Sequence, residues 1–293
     1  MSSADNDFAA EVAPSGPVTV TGTATRGGPV ADVRIVRPPY GIRATQAAEM
    51  TVTCGAGTPV DELCSELEAH GQTVVLPRSG TVGGALAVGH SDIDRLRYGP
   101  VRDALLQARY VGASGDLVTI GGPTVKNVSG FDMCRLFVGS VGTLGFLSEV
   151  TLRTRPLPRI SRWWRGDGEP HELLAQLYRP AAVLWDGAVT WVRLDGAADD
   201  LDAQAARFDL VSVDEPPLIP SAGRSSHPPA ELVAATRDLE HQFIAEIGVG
   251  VVHHAEPVVD QRPVDDAVVE LHRRIKQRFD PDGRLNPGRS PLS

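Results

Sequence analysis

Lysine is almost missing from this chain. Its 293 residues hold lysine only at Lys126 and Lys276, so arginine carries nearly all the positive charge. The net charge of -9 excludes a general nucleic-acid binder, which needs clustered positive charge to neutralise phosphates. Cysteine is scarce too. Cys54, Cys64 and Cys134 are odd in number and lack CxxC spacing. That excludes a disulfide framework, a zinc site and an iron–sulfur cluster, and reads as buried thiols in a reducing cytoplasm. No apolar run reaches the roughly 18 residues of a membrane-spanning helix, so no direct membrane insertion is expected. The opening MSSADNDFAAEVAPSG has neither the basic nor the apolar region of a signal peptide. The expected location is cytoplasmic, with peripheral attachment at the inner membrane face through partners left open.

What is present is globular. A hydrophobic content of 42% and a charged content of 22% suit a packed core. The length suits two domains. Residues 17–22, 33–36 and 50–54 read as strands. Thr58-Pro59 reads as a helix start, with Thr58 as cap and Val60, Leu63, Cys64 and Leu67 at helical spacing. Gly71 ends that helix, and a strand follows at 73–77. Residues 104–120 read as two strands around an Ala-Ser-Gly-Asp turn, and 146–154 as a strand stopped by Pro156 and Pro158. The domain boundary is placed there, giving 1–157 and 158–293. In the second half, helices are expected at 171–178, 199–208, 230–246 and 264–278. Strands are expected at 182–194, 209–213 and 249–254, with a long surface loop over 214–229. The overall class is α+β, the second domain being a small α+β cap.

Three glycine segments in the first half invite a ligand. They are Gly22-Thr23-Ala24-Thr25-Arg26-Gly27-Gly28 directly after a strand, Pro77-Arg78-Ser79-Gly80-Thr81-Val82-Gly83-Gly84-Ala85, and the segment 139–145, GSVGTLG. Glycine lets backbone N–H groups turn inward, and successive inward N–H groups form a nest for a pyrophosphate. None of the three is GxGxxG, and the third leads into a strand. A Rossmann site, which needs strand, glycine turn and helix in that order, is not the reading. Each cluster alone reads as a turn. Three in one domain favour a long phosphate-bearing ligand threaded between loops.

Motifs extend this. The run 122–132, GPTVKNVSGFD, with RLFVGSVGTLG at 135–145, resembles the K-N-x-x-G-[YF]-D…G-S-x-G-T-L-G signature of FAD-linked 2-hydroxyacid oxidases and dehydrogenases. TVGG at 81–84, YGPVRD at 98–103 and FDPDGRLNPGR at 279–289 resemble further elements of that family. The short cap and YRPAAVLWDG at 178–187 look like the smaller FAD-binding subunits, of the E type, in glycolate oxidase complexes. The resemblance covers nearly the whole chain. It implies a PCMH-type (vanillyl-alcohol-oxidase class) FAD-binding domain of two α/β subdomains, with FAD extended between them. It also implies the cap domain, with a C-terminal Asn-Pro-Gly segment that returns to the flavin domain.

By motif match, Thr81, Val82, Gly83, Gly84, Gly139, Gly142, Thr143, Leu144 and Gly145 line the FAD. Asn286 approaches the flavin end or simply forms a turn. Gly22, Thr23, Ala24, Thr25, Ser79 and Gly80 complete the phosphate loops. No histidine or cysteine stands in a flavinylation context, so non-covalent FAD is expected. The resemblance implies a larger FAD-binding subunit and an iron–sulfur subunit as partners, and a small 2-hydroxyacid as substrate. The rival readings are a scaffold subunit that has lost FAD and a stand-alone flavin-dependent alcohol or sugar oxidase.

Two departures from the family pattern stand out. Thr23 and Ala24 occupy positions where glycine is usual, and both disfavour positive φ. The chain also begins almost at the first loop, where the family has a helix and strand ahead of it. Both departures predict weakened FAD binding. No metal motif of the H-x-G-D-G-N-x-H kind occurs, so no metal is expected. His253-His254 on a strand should point to opposite faces. Arg102 either approaches the flavin or pairs within its domain. Lys126 meets a phosphate or caps local backbone. Trp163-Trp164 faces a partner or packs between the domains. No catalytic base is assigned.

Overall fold

The computed structural model describes residues 3–122, 132–258 and 263–292. Lys126 and most of the 122–132 motif lie outside the described residues. The chain falls into two compact units. One comprises Met1–Asp92, Pro100–Leu157 and Val264–Ser293, the other Ile93–Gly99 and Pro158–Pro263. No helix among the described residues is long and apolar enough to cross a membrane.

The first unit opens with a helix, α1 (Ser3–Val12), that the sequence reading passed over. Phe8 and Val12 lie four apart and are buried, so they share one face. The stretch looks polar because Asp5 is buried too. Its carboxylate accepts hydrogen bonds from Ser148 Oγ and Arg109 Nη1, both at 2.6 Å. Strands β1 (Val18–Val20) and β2 (Arg34–Val36) pair in parallel, and Val18 bridges to Leu285 near the C-terminus. A helix and a strand therefore do precede the first glycine loop, which corrects the expectation that they are missing.

The chain then builds an antiparallel sheet. Its elements are β3 (Ile42–Gln46), β4 (Thr51–Gly55), α2 (Val60–Glu68), β5 (Gln72–Val74) and α3 (Val82–Val88). After a short helix α4 (Arg95–Tyr98) in the second unit come β6 (Leu105–Val111), β7 (Leu117–Gly121), α5 (Met133–Phe137) and β8 (Phe146–Pro156). The order is β3-β4-β8-β6-β7, with β5 also on β8. Helix α2 buries Val60, Leu63 and Leu67, each contributing roughly 1.5–3 kcal/mol relative to exposure. Thr58 does not cap it. Its hydroxyl accepts from Gly41 N at 2.9 Å, while Val60 N donates to Gly80 O at 2.9 Å. The start of α2 is thus fastened to the second glycine segment.

The second unit is a seven-stranded sheet, in the order β12-β9-β11-β10-β14-β15-β13. In chain order it comprises β9 (Ile160–Gly166), α6 (Pro170–Gln176), β10 (Ala182–Trp185), β11 (Thr190–Gly196), α7 (Ala198–Arg207), β12 (Val211–Val213), β13 (Gly223–Ser226), α8 (Leu232–Thr236), β14 (Phe243–Glu246) and β15 (Val251–His254). Several expectations are corrected. The span 182–194 is a hairpin, turned where Asp186 Oδ1 accepts from Ala188 N and Val189 N at 2.9 and 2.7 Å. The expected loop 214–229 contains β13. The expected helix 230–246 shrinks to α8, because all four residues of β14 are buried and burial in the sheet overrides their helical propensity. Trp164 is a core residue of this unit, packed with Val192 and Leu194, and Trp163 also packs within it.

His253 and His254 do face opposite ways. His253 Nε2 meets Glu246 Oε1 at 2.7 Å, while His254 bonds Ser225 and His241 at 2.8 Å each. Among the described residues no cluster of histidine, cysteine, aspartate or glutamate fits a metal ion. The final helix, α9 (Asp266–Phe279), rejoins the first unit together with the C-terminal segment.

Candidate functional site

A cleft in the first unit, with about 780 Å³ of empty space open to solvent, is lined by all three glycine segments. Of the expected residues, Gly22, Thr23, Ala24, Thr25, Thr81, Gly83, Gly84, Gly142, Gly145 and Asn286 line it. Ser79, Gly80, Val82, Gly139, Thr143 and Leu144 do not, and each has a structural task instead. Val82 and Leu144 are core residues. Thr143 Oγ1 donates to Ser140 O at 2.7 Å, and Gly139 N donates to Leu86 O at 3.0 Å. Ser79 and Gly80 lie beneath a side chain of the first loop, described below.

The first loop enters from β1. Thr21 N still donates to Val36 O at 3.1 Å. Beyond it, no acceptor among the described residues engages the N–H groups of Gly22, Thr23, Ala24, Thr25 or Arg26. Ala24 takes φ +59°, the conformation its Cβ disfavours by about 1–2 kcal/mol. The alanine thus holds the left-handed shape that a glycine would adopt. Arg26, in the same loop and next to the last of its expected cofactor-binding residues, also lines the cleft. Its Nη2 donates to Ser79 Oγ at 3.3 Å and Pro77 O at 3.5 Å. Its Nη1 is buried with no hydrogen-bond partner among the described residues. Burial pulls this guanidinium below its ordinary pKa.

The second loop runs into α3. Thr81 caps that helix, its Oγ1 accepting from Gly84 N at 3.2 Å. Val82 N and Gly83 N donate to Thr58 O and Ala56 O, at 2.9 and 2.7 Å. The first three amides of α3 are therefore already engaged. Gly22 packs on this corner so closely that a Cβ there would sit 2.6 Å from Thr81 Oγ1.

The third loop is clamped from the C-terminal segment. Asn286 Oδ1 accepts from Thr19 Oγ1 at 2.8 Å and Val20 N at 3.2 Å, and its Nδ2 donates to Val141 O at 2.8 Å. Asn286 therefore ties β1 to the third loop as it borders the cleft. Lys276, on α9, donates to Thr143 O at 2.8 Å, Leu285 O at 3.1 Å and Asp280 Oδ2 at 2.5 Å. Val141 and Asn286 join Ala24 as left-handed non-glycine residues bordering the cleft, at φ +46° and +43°. Such strain in a β-branched residue persists only where its surroundings over-determine it. Of the other sequence candidates, Asp103 pairs with Arg135 at 3.1 Å, and Arg102 is exposed.

Comparison with known proteins agrees with this geometry. A family model described as an FAD binding domain matches residues 12–121, and one described as the C-terminal domain of FAD linked oxidases matches 231–290. The chain belongs to the FAD-linked oxidases, flavoproteins of PCMH type, and its cofactor is FAD. Within that class it is similar to glycolate oxidase subunit GlcE of Escherichia coli, with 27% identity over 89% of this chain and 87% of that protein. It is also similar to a D-lactate dehydrogenase of Archaeoglobus fulgidus, with 36% identity over 36% of this chain and 25% of the relative. In fold it matches alkyldihydroxyacetonephosphate synthase, with TM-score 0.67 and 14% identity over 97% of this chain and 74% of the other. Berberine bridge enzyme matches with TM-score 0.52 and 14% identity over 70% of this chain and 47% of the other.

Proposed function

We propose that this chain is an FAD-binding subunit of a glycolate-type 2-hydroxyacid oxidase or dehydrogenase, with FAD held non-covalently in the three-loop cleft. The observation that carries the reading is convergence. Three glycine-bearing loops, two of them held open by left-handed non-glycine residues, border one cleft that also contains a run of amides and a buried guanidinium nitrogen without partners among the described residues. These donors fit a pyrophosphate. No histidine or cysteine lines the cleft among the described residues, which supports non-covalent attachment. When bound, FAD supplies the hydride or electron transfer. This chain's residues supply position: Asn286 and Lys276 fix the third loop, and Thr81 fixes the second.

The substrate is proposed to be a small 2-hydroxyacid, on the strength of the similarity to a glycolate oxidase subunit over most of both chains. With three scattered cysteines and no cluster spacing, electrons leave to another chain. A larger FAD-binding subunit and an iron–sulfur subunit are the proposed partners. The proposed location is the cytoplasm, peripheral to the inner membrane face through those partners. Purification of the chain expressed with its genomic neighbours tests this. The expected result is a yellow protein that releases FAD on denaturation, co-purifies with an iron–sulfur chain and is reduced by glycolate or D-lactate. A colourless protein that takes up no added FAD sinks the reading.

A further inference from the structure

Arg26 is an unusual cation for its setting. It lies across the second loop, and a Cβ on Gly80 would fall 2.3 Å from Nη1 and 2.4 Å from Thr25 Oγ1. Gly80, at φ +79°, is what lets the guanidinium lie there. From that seat Nη1 also reaches toward the start of α3, 4.0 Å from the Cβ position of Gly84. Only weak neutral acceptors hold Nη2, at 3.3 and 3.5 Å. No carboxylate among the described residues pairs with the side chain. Arg289, the other arginine at the cleft, is different: its Nη2 donates to Gly27 O and Gly28 O. A half-buried cation whose Nη1 is out of solvent with no acceptor among the described residues suits an anion. The unengaged amides of residues 22–25 lead directly to it in the chain.

We propose that Arg26 supplies the counter-charge for the dinucleotide's pyrophosphate and thereby makes the cleft selective for FAD over riboflavin. This rests on the reading of the cleft as the FAD site. The pyrophosphate is the anionic part of FAD and riboflavin lacks it, so the guanidinium acts on one ligand and not on the other. A planar guanidinium also suits bidentate bonding to phosphate oxygens, which an ammonium cannot reproduce. Arg26 is a binding and positioning residue and takes no part in the redox step. It sits within the first glycine segment, between Thr25 and Gly27, so it adds a charge beside the unengaged amides of that loop.

The test is a binding titration of flavin-stripped protein with FAD and, separately, with riboflavin, for wild type, Arg26→Met and Arg26→Lys. Wild type is expected to prefer FAD. Arg26→Met should raise the FAD dissociation constant roughly ten- to hundred-fold, the range for charge-assisted hydrogen bonds. Riboflavin binding should stay within about twofold, because it makes no phosphate contact. Arg26→Lys should recover part of the loss. Added salt should weaken FAD binding to wild type more than to the methionine variant. The melting temperature of the flavin-free methionine variant should not fall, since the lost contacts are weak. Equal weakening of FAD and riboflavin, or no change in either, overturns the assignment. So does a wild type that binds both flavins equally, which would leave the flavin site itself standing. A wild type that binds neither overturns the site as well.

Discussion

The first and third glycine loops border the same cleft and are built in opposite ways. In the third loop, Gly139, Ser140, Val141 and Thr143 donate their amides to backbone carbonyls, and Asn286 and Lys276 bind Val141 O and Thr143 O from the C-terminal segment. In the first, the amides of residues 22–26 engage no acceptor among the described residues, and Ala24 holds its shape at φ +59°. The loop that fits the family signature spends its hydrogen bonds on architecture. The loop that departs from it leaves its donors unengaged among the described residues.

Mirrored substitutions break this comparison most sharply. Gly142→Ala in the third loop forces a Cβ to within 2.6 Å of Asn286 Nδ2 at a backbone φ of +70°. It should destabilise the protein by about 2–4 kcal/mol, through positive-φ strain and loss of the asparagine clamp. Denaturant melts measure this. Lys276→Met comes next. It leaves the buried Asp280 carboxylate without its cation, although Arg284 N and Leu285 N still donate to it at 2.9 and 2.8 Å. The expected loss is about 2–3 kcal/mol, with the third loop loosened and the first unchanged in hydrogen exchange.

Ala24→Gly runs the other way. Relief of the left-handed strain is partly offset by the entropy glycine adds to the unfolded chain. The net change should lie within about 1 kcal/mol and be neutral or stabilising, and FAD should bind at least as tightly as to wild type. A large loss of stability would show that the alanine methyl makes a contact the geometry does not reveal. The smallest expected effect lies in the second unit. Burial, reinforced by His241, His227 and His253, holds His254 below its ordinary value of 6.5. The unfolded chain therefore takes up this proton more readily than the folded one. The stability His254 lends is present above pH 6.5 and declines as pH falls from there toward its folded value. Melting temperature against pH checks this, and His254→Gln should flatten the decline.

Much of the fold was legible because glycine, proline and alternating apolar residues mark its turns and strands. The exceptions have physical causes. Helix α1 was missed because its buried Asp5 carries the polarity of a surface residue, while the partners that satisfy it, Ser148 and Arg109, lie far along the chain. Strand β14 reads as helix because Phe243–Glu246 continues an alanine- and glutamate-rich stretch, and only its place inside a seven-stranded sheet decides otherwise. At the site, glycine pointed to the loops. Arg26 lies within the first of them, but its residue type gave it no role, one arginine among many in a chain nearly without lysine. Nor could glycine reveal Val141, whose branched Cβ argues against the conformation it adopts.

The contrast between the loops is open to one direct measurement, amide hydrogen exchange of the flavin-free protein with and without FAD. The amides of residues 22–26 should exchange freely in the flavin-free protein and become protected when FAD is added. Those of Gly139, Val141 and Thr143 should be protected in both states. If FAD binds and the exchange of residues 22–26 does not change, the first loop does not hold the cofactor and the account is wrong.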